Sequence, residues 1–124
     1  MINQSSLRPD VEGDSVAFHG ELDAASAPDL RERIVAIASA PGGRLLLDLS
    51  GCTFIDSLGI ASLVECADEM HRRGRVVCLV CRAPQVRRTL SLSGVDQQIP
   101  VCWTREEAME LLADPRQSVP KPMN

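Results

Sequence analysis

Apolar and polar residues alternate along the chain in short blocks that have either strand or helix periodicity. Near the N-terminus, Val16 and Phe18 alternate with small or polar residues, which is typical of a strand with one buried face. A less regular strand over about 6–11 precedes it, and the turn sequence Glu12-Gly13-Asp14 separates the two. Strands joined by so short a turn pair antiparallel.

The rest of the chain alternates strands with amphipathic helices. Two nearly continuous apolar runs, 45–49 and 75–81, predict central strands that are covered on both faces. A last short strand is predicted over 99–103. Capping residues and helical spacing predict helices that begin after Ser26, near Ser57, at Pro84 and after Thr104.

The predicted order, β-β-α-β-α-β-α-β-α, defines the expected fold class. Strands connected through helices form a mostly parallel sheet, so we expect a single α/β domain over 1–113 with an antiparallel N-terminal strand and about four helices. The residues after 113 are polar and interrupted by prolines, and 114–124 is expected to be a disordered tail.

Composition and charge narrow the possible functions. The 124 residues include 13 basic and 17 acidic side chains, for a net charge of −4, with one tryptophan, two phenylalanines and no tyrosine. We therefore expect no nucleic-acid partner, since phosphate binding needs a basic excess and single strands stack on aromatic rings. Without an apolar run long enough to span a bilayer or a secretory signal, we expect no membrane partner and a cytoplasmic location.

The five cysteines lie in apolar segments, which is typical of reduced thiols in a core. Cys78 and Cys81 are three residues apart in a predicted strand, so they should point to opposite faces and form neither a redox pair nor a metal site. Cys52 falls in a predicted loop, where we expect exposure. No metal site or cofactor is expected, and Pro41-Gly42-Gly43 lacks the lysine of a phosphate-binding loop.

The candidate chemistry lies where a predicted central strand ends. The strand 45–49 is followed by the predicted loop 50–55, then by Asp56 as a helix N-cap and by Ser57 in the first turn with a surface hydroxyl. Ligands of open α/β sheets bind at this edge, and a phosphate on Ser57 would meet backbone N–H groups without helical partners. Capping alone also explains the pair, so these residues by themselves leave both interpretations open.

Several segments taken together resemble the STAS domain, and more narrowly the bacterial anti-sigma factor antagonists. The resemblance covers about 16–112. It rests on Gly20-Glu21-Leu22-Asp23, the helix after Ser26, Leu46-Leu47-Asp48-Leu49, Phe54-Ile55-Asp56-Ser57-Leu58-Gly59-Ile60, and the C-terminal segments 92–96, 99–101 and 104–108.

The resemblance implies a phosphorylation switch. In antagonists of this type, an anti-sigma factor that is itself a serine kinase phosphorylates the serine matching Ser57. The unphosphorylated form binds that kinase and frees the sigma factor, the phosphorylated form releases it, and a phosphatase restores the serine. Asp23 and Asp56 match acidic positions that support the site, and Leu58 and Gly59 belong to the expected partner-binding patch. Leu58 stands where the family commonly has serine or threonine.

Three other functions are compatible with parts of the pattern. A STAS adaptor subunit, for example of a lipid-transport ABC complex, would need the docking face and no phosphorylation. An antagonist under redox control would use Cys52. An enzyme would need a nucleophile beside a base, which the sequence does not offer, so we expect a protein that is not an enzyme.

Overall fold

The computed structural model describes residues 7–9, 15–39 and 44–113. The predicted turn 12–14 and the predicted tail 114–124 lie outside the described residues. Within the described part, a single turn of 3-10 helix, Val95–Gln97, follows the third helix. The strands and α-helices are β1 (Leu7–Pro9), β2 (Ser15–Leu22), α1 (Ala27–Ser39), β3 (Arg44–Ile55), α2 (Ser57–Arg72), β4 (Val76–Val80), α3 (Pro84–Ser93), β5 (Val101–Cys102) and α4 (Arg105–Ala113).

The strands form one sheet in the order β1-β2-β3-β4-β5. β1 runs antiparallel to β2, with Leu7 opposite Phe18. The pairs β2–β3, β3–β4 and β4–β5 are parallel. The predicted α/β class is confirmed, and the carboxyl ends of four neighbouring strands share one edge of the sheet.

Helices cover the sheet on both faces because β3 presents leucines to each side. Leu45, Leu47 and Leu49 belong to the larger core cluster, which they form with buried residues of α1, α2 and α3. Leu46 belongs to the smaller cluster, together with Ala108 and residues of β4. The nearly continuous apolar run in β3 therefore reflects burial on both faces, as predicted.

The central strand is longer than the sequence predicted. The segment 50–55, expected to be a loop, belongs to β3, because its pairing with β2 continues through two register shifts as far as Leu22 opposite Ile55. At Gly51 an added Cβ would lie 2.1 Å from Nδ1 of His19, so a larger residue there would displace the exposed His19 side chain. The glycine and serine that indicated a loop thus mark an irregular stretch of paired strand, where bulges and close approach favour such residues.

A polar contact joins α4 to the first two parallel strands. Arg105 Nη1 lies 3.0 Å from a carboxylate oxygen of Asp48 on β3, and Nη2 donates to the hydroxyl of buried Ser15 on β2 at 3.2 Å. The single acidic residue in the apolar run 45–49 is therefore paired, which offsets the cost of its partial burial.

Candidate functional site

Asp56 caps the start of α2. Its backbone is extended (φ −110°, ψ −172°), and Oδ1 accepts hydrogen bonds from the N–H groups of Leu58 at 3.0 Å and Gly59 at 2.9 Å. The predicted N-cap is confirmed. Because both N–H groups are bound by Asp56, they do not remain open for a phosphate on Ser57, contrary to the expectation from the sequence.

The end of β2 holds the helix start in place. The carbonyl oxygen of Leu22 accepts the N–H of Asp56 at 3.2 Å. The same oxygen would lie 2.3 Å from a Cβ added to Gly59, a distance that no side chain tolerates. The spacing of Asp56 and Gly59 therefore has a structural cause. Asp56 provides the cap, and Gly59, three residues later, has no side chain and so allows the helix to approach the neighbouring strand.

Ser57 is the first residue of α2, and its side chain is exposed. Two large apolar side chains close to it in the chain are also exposed, Phe54 by 50% and Leu58 by 53%. Gly59, in contrast, is buried. The helix start thus has an exposed serine and, close to it in the chain, two exposed apolar side chains, a composition suited to contact with another protein.

Asp23 organises the turn between β2 and α1. Its Oδ1 accepts from the N–H groups of Ala25 at 3.1 Å and Ser26 at 3.2 Å, and its backbone carbonyl accepts from Ala27 at 2.8 Å. The Ser26 hydroxyl ties the turn back to Glu21 by donating to its carbonyl at 2.7 Å. Because Leu22 and Ile55 are paired, Asp23 and Asp56 follow the ends of adjacent strands, and the structure brings these two predicted residues to one place.

The predicted exposure of Cys52 is wrong. Cys52 lies on β3 and is 2% exposed within the larger core cluster, with Sγ donating to the carbonyl of Phe54 at 3.3 Å. Burial is the main reason that the pKa of its thiol is raised. A buried, protonated thiol is a poor site of redox control, so the structure gives no support to Cys52 as a redox residue.

The remaining thiols are free and buried as well. Burial raises the pKa of Cys66 and of Cys78 to about 12. Cys81 belongs to the larger core cluster and Cys78 to the smaller one, so the two point to opposite faces of β4 and its extension, as predicted.

Within the described ranges, no three His, Cys, Asp or Glu side chains converge into a set that would hold a metal ion. In that same part of the chain, none of the helices combines the length and the apolar character needed to cross a membrane.

Sequence reasoning missed the exposure of Phe54. Phe54 lies opposite Glu21 on β2 and is half exposed. The two one-residue register shifts of the β2–β3 ladder cancel at this position, so Phe54 keeps the alternation of Leu46 and Asp48. Its exposure therefore depends on what covers that face of the sheet, which no pattern in the sequence indicates.

A family model described as the STAS domain matches residues 10–108. Among solved structures, an anti-sigma factor antagonist from Mycobacterium paratuberculosis is similar, with 29% identity, a TM-score of 0.74, and coverage of 81% of this chain and 85% of that one. A STAS domain protein from Planctomyces limnophilus is 20% identical with a TM-score of 0.74, covering 87% and 97%. The phosphorylated form of the Bacillus cell fate determinant SpoIIAA is 21% identical with a TM-score of 0.61, covering 84% and 95%.

The approach of α2 to β2 predicts the sign of a substitution. Replacing glycine by alanine inside an exposed helix is usually stabilising by roughly 0.5–1 kcal/mol. We expect Gly59→Ala to lower the free energy of unfolding by about 1–3 kcal/mol, because the new Cβ meets the Leu22 carbonyl and the helix start must shift. Urea denaturation monitored by circular dichroism measures this change. A stabilised or unchanged Gly59→Ala variant would contradict the close packing described above.

The buried thiols predict slow chemical modification. A pKa of about 12 at Cys66 and Cys78 lowers the thiolate fraction near neutral pH about a thousandfold relative to an ordinary thiol. We expect the five cysteines to react with iodoacetamide slowly in the folded protein and rapidly in denaturant, as counted by mass spectrometry. Rapid labelling of Cys52 in the folded protein would contradict its burial.

The raised pKa values of these thiols also predict how the free energy of unfolding changes with pH. Because their pKa is raised on folding, the thiols favour the folded state below the ordinary thiol pKa, and this contribution is lost as the pH rises toward about 12.

Proposed function

The chain belongs to the STAS domain family, and we propose that it is an anti-sigma factor antagonist whose binding is switched by phosphorylation of Ser57. The observation that carries the proposal is the exposure of Ser57 at the start of α2, together with that of Phe54 and Leu58, which lie close to it in the chain. The 29% identity to a mycobacterial anti-sigma factor antagonist over 81% of this chain supports the same function.

In the unphosphorylated state, we propose that this helix start docks on an anti-sigma factor. Phe54 and Leu58 would lose water on contact, and burying apolar surface contributes about 25 cal/mol per Å² before the costs of association are subtracted. Ser57 is short and neutral, so it fits such an interface without a charge to desolvate. The bound anti-sigma factor then no longer holds its sigma factor, and transcription that depends on that sigma factor proceeds.

In the phosphorylated state, the new charge has little to neutralise it within the chain. A phosphoserine carries a charge of about −1.5 to −2 at neutral pH. The N–H groups of Leu58 and Gly59 in the first turn are already bound to the Asp56 carboxylate, which adds a like charge of its own. Glu21 and Asp23 at the end of β2 are acidic too. The phosphate therefore presents its charge to the partner, and a loss of about 1.4 kcal/mol already weakens binding tenfold.

The chemistry of the cycle belongs to the partners, and this chain is their substrate and not itself an enzyme. The anti-sigma factor acts as a serine kinase: Ser57 Oγ forms a bond to the γ-phosphorus of ATP, the bond to the β-phosphate oxygen breaks, and ADP leaves while the hydroxyl proton passes to the kinase. A phosphatase then hydrolyses the phosphoserine with water, which returns the hydroxyl and releases inorganic phosphate. Both steps are proposed to occur in the cytoplasm.

Asp23 and Asp56 support this cycle by position. Asp56 fixes the first turn of α2, and Asp23 fixes the adjacent turn through the N–H groups of Ala25 and Ser26. Asp56 thereby fixes the backbone of Ser57 for the kinase, and Asp23 fixes the turn that follows the neighbouring strand. The fold itself accommodates a phosphorylated state in SpoIIAA, whose phosphorylated form has a TM-score of 0.61 to this chain.

Phosphorylation is tested with ATP and an anti-sigma factor kinase from the same organism that binds the chain. We expect the intact mass to increase by one phosphate group, and Ser57→Ala to abolish the increase. Ser50→Ala is the matched control, since Ser50 is another exposed serine, in the middle of β3. An unchanged mass of the wild type, or equal phosphorylation of Ser57→Ala, would reject Ser57 as the acceptor.

The proposed loss of binding on phosphorylation is tested by comparing the affinities of variants that carry a negative charge. We expect Ser57→Asp to weaken the affinity for an anti-sigma factor that carries no sigma factor about tenfold or more, because the substitution places a charge in the contact. Ser50→Asp adds the same charge outside the proposed contact and should bind like the wild type. Isothermal titration calorimetry measures both. Equal affinities of Ser57→Asp and wild type would show that a negative charge at this position does not affect binding of the partner.

A further inference from the structure

The edge of the sheet at β5 has open main-chain groups. β5 is the last strand in the order, and within the described residues no strand pairs with its outer side. The carbonyls of Pro100 and Cys102 face β4, where they accept hydrogen bonds of 2.9 and 3.0 Å from backbone N–H groups. The N–H and C=O of Val101, which lies between them, therefore point outward. Such groups are a template to which an extended segment can add as a strand.

A fixed aromatic side chain stands next to this open edge. Trp103 follows β5 directly and is 52% exposed. Its backbone N–H donates to the carboxylate of Glu107 at 2.7 Å, so the edge is closed at this residue and open at Val101. The guanidinium of Arg87 lies 3.5 Å from the centroid of the Trp103 ring. Part of the indole is thus held against a cation, and the rest faces solvent.

Arg87 is itself held in place by the strand ends. Its Nη1 donates to the carbonyl of Cys81 at 2.8 Å and to that of Cys102 at 3.3 Å. The orientation of both the guanidinium and the indole is therefore set before any partner arrives. Binding to a pre-organised group loses little side-chain entropy, and Trp and Arg are the residues that most often dominate protein interfaces.

Three arginines lie around this edge, although the chain has a net charge of −4, and the Glu107 carboxylate beside it is bound to the N–H of Trp103. Arg82, after β4, and Arg88, on α3, are both exposed, and the described part of the structure gives neither of them an ion-pair partner. Asp96 is the acidic residue of the adjoining cleft. That cleft has a volume of about 500 Å³ and is lined by Arg87, Arg88, Leu90, Ser91, Asp96 and Val101.

We propose that the β5 edge binds an extended acidic peptide segment of a partner protein. The segment pairs with the N–H and C=O of Val101, places carboxylates beside Arg88 and Arg87, and packs an apolar side chain on the exposed part of Trp103. Val101, Arg88 and the outer part of Trp103 are groups that the fold leaves open, Arg87 adds a fixed positive charge, and the charges select an acidic segment over a basic one. The site goes beyond the proposed function, and its occupancy does not depend on the phosphorylation state of Ser57.

The chain contains a built-in reporter for this site, since Trp103 is its one tryptophan and it has no tyrosine. The probe is a short end-blocked peptide of alternating glutamate and valine, titrated into the full chain while Trp103 fluorescence and the amide NMR signals are followed. Two comparison peptides replace the glutamates by lysine, or place proline at the centre to remove main-chain donors. Two variants reverse one charge each: Arg88→Glu at the site, and Arg44→Glu at the opposite, amino end of β3, where Arg44 is also exposed.

We expect a saturable fluorescence change with the acidic peptide and shifts of the Val101 and Arg88 amide signals. The lysine and proline peptides, and the acidic peptide on Arg88→Glu, should bind about tenfold or more weakly, whereas Arg44→Glu should behave as the wild type. Circular dichroism confirms that both variants are folded. Equal binding of the acidic and lysine peptides, an equal loss in Arg44→Glu, or no saturable change would overturn the proposal. Self-association through this edge, detected by sedimentation without peptide, would overturn it in favour of a second copy of the chain.

Discussion

The start of α2 is built against one oxygen atom, the carbonyl oxygen of Leu22. This oxygen accepts the N–H of Asp56 at 3.2 Å and leaves 2.3 Å for any Cβ at position 59, so the helix can begin here only with glycine at its third residue. Asp56 then caps the two N–H groups that follow. With these contacts in place, Ser57 lies at the surface as the first residue of α2, and the proposed switch depends on that exposure.

The molecule separates its charges between two edges of the sheet. Acidic residues gather where β2 and β3 end, around Ser57, and arginines gather around Trp103 at the β5 edge. The partner proposed for Ser57 meets carboxylates and would be repelled by an added phosphate, whereas the partner proposed for the β5 edge is acidic. Because like charges repel at close range, the two surfaces select different partners without any change of fold.

Buried thiols and a paired carboxylate show how the core limits the possible chemistry. All five cysteines pack as small apolar groups, and the Asp48 carboxylate in the middle of β3 is bound to Arg105 of α4. None of these groups is both exposed and unpaired. The hydroxyl-bearing Ser57 is exposed just beyond the end of β3, and this is where the proposed phosphorylation takes place.

The sequence alone determined the α/β order, the cap at Asp56 and the surface position of Ser57, because periodicity and capping depend on residues close together in the chain. Tertiary structure decided the rest. The continued pairing of 50–55 with β2 and the burial of Cys52 depend on register shifts between strands about thirty residues apart, and the exposure of Phe54 depends on what covers that face of the sheet. The outward groups of Val101 and the stacking of Arg87 on Trp103 depend on which strand ends the sheet, and strand order is set by the packing of the whole chain.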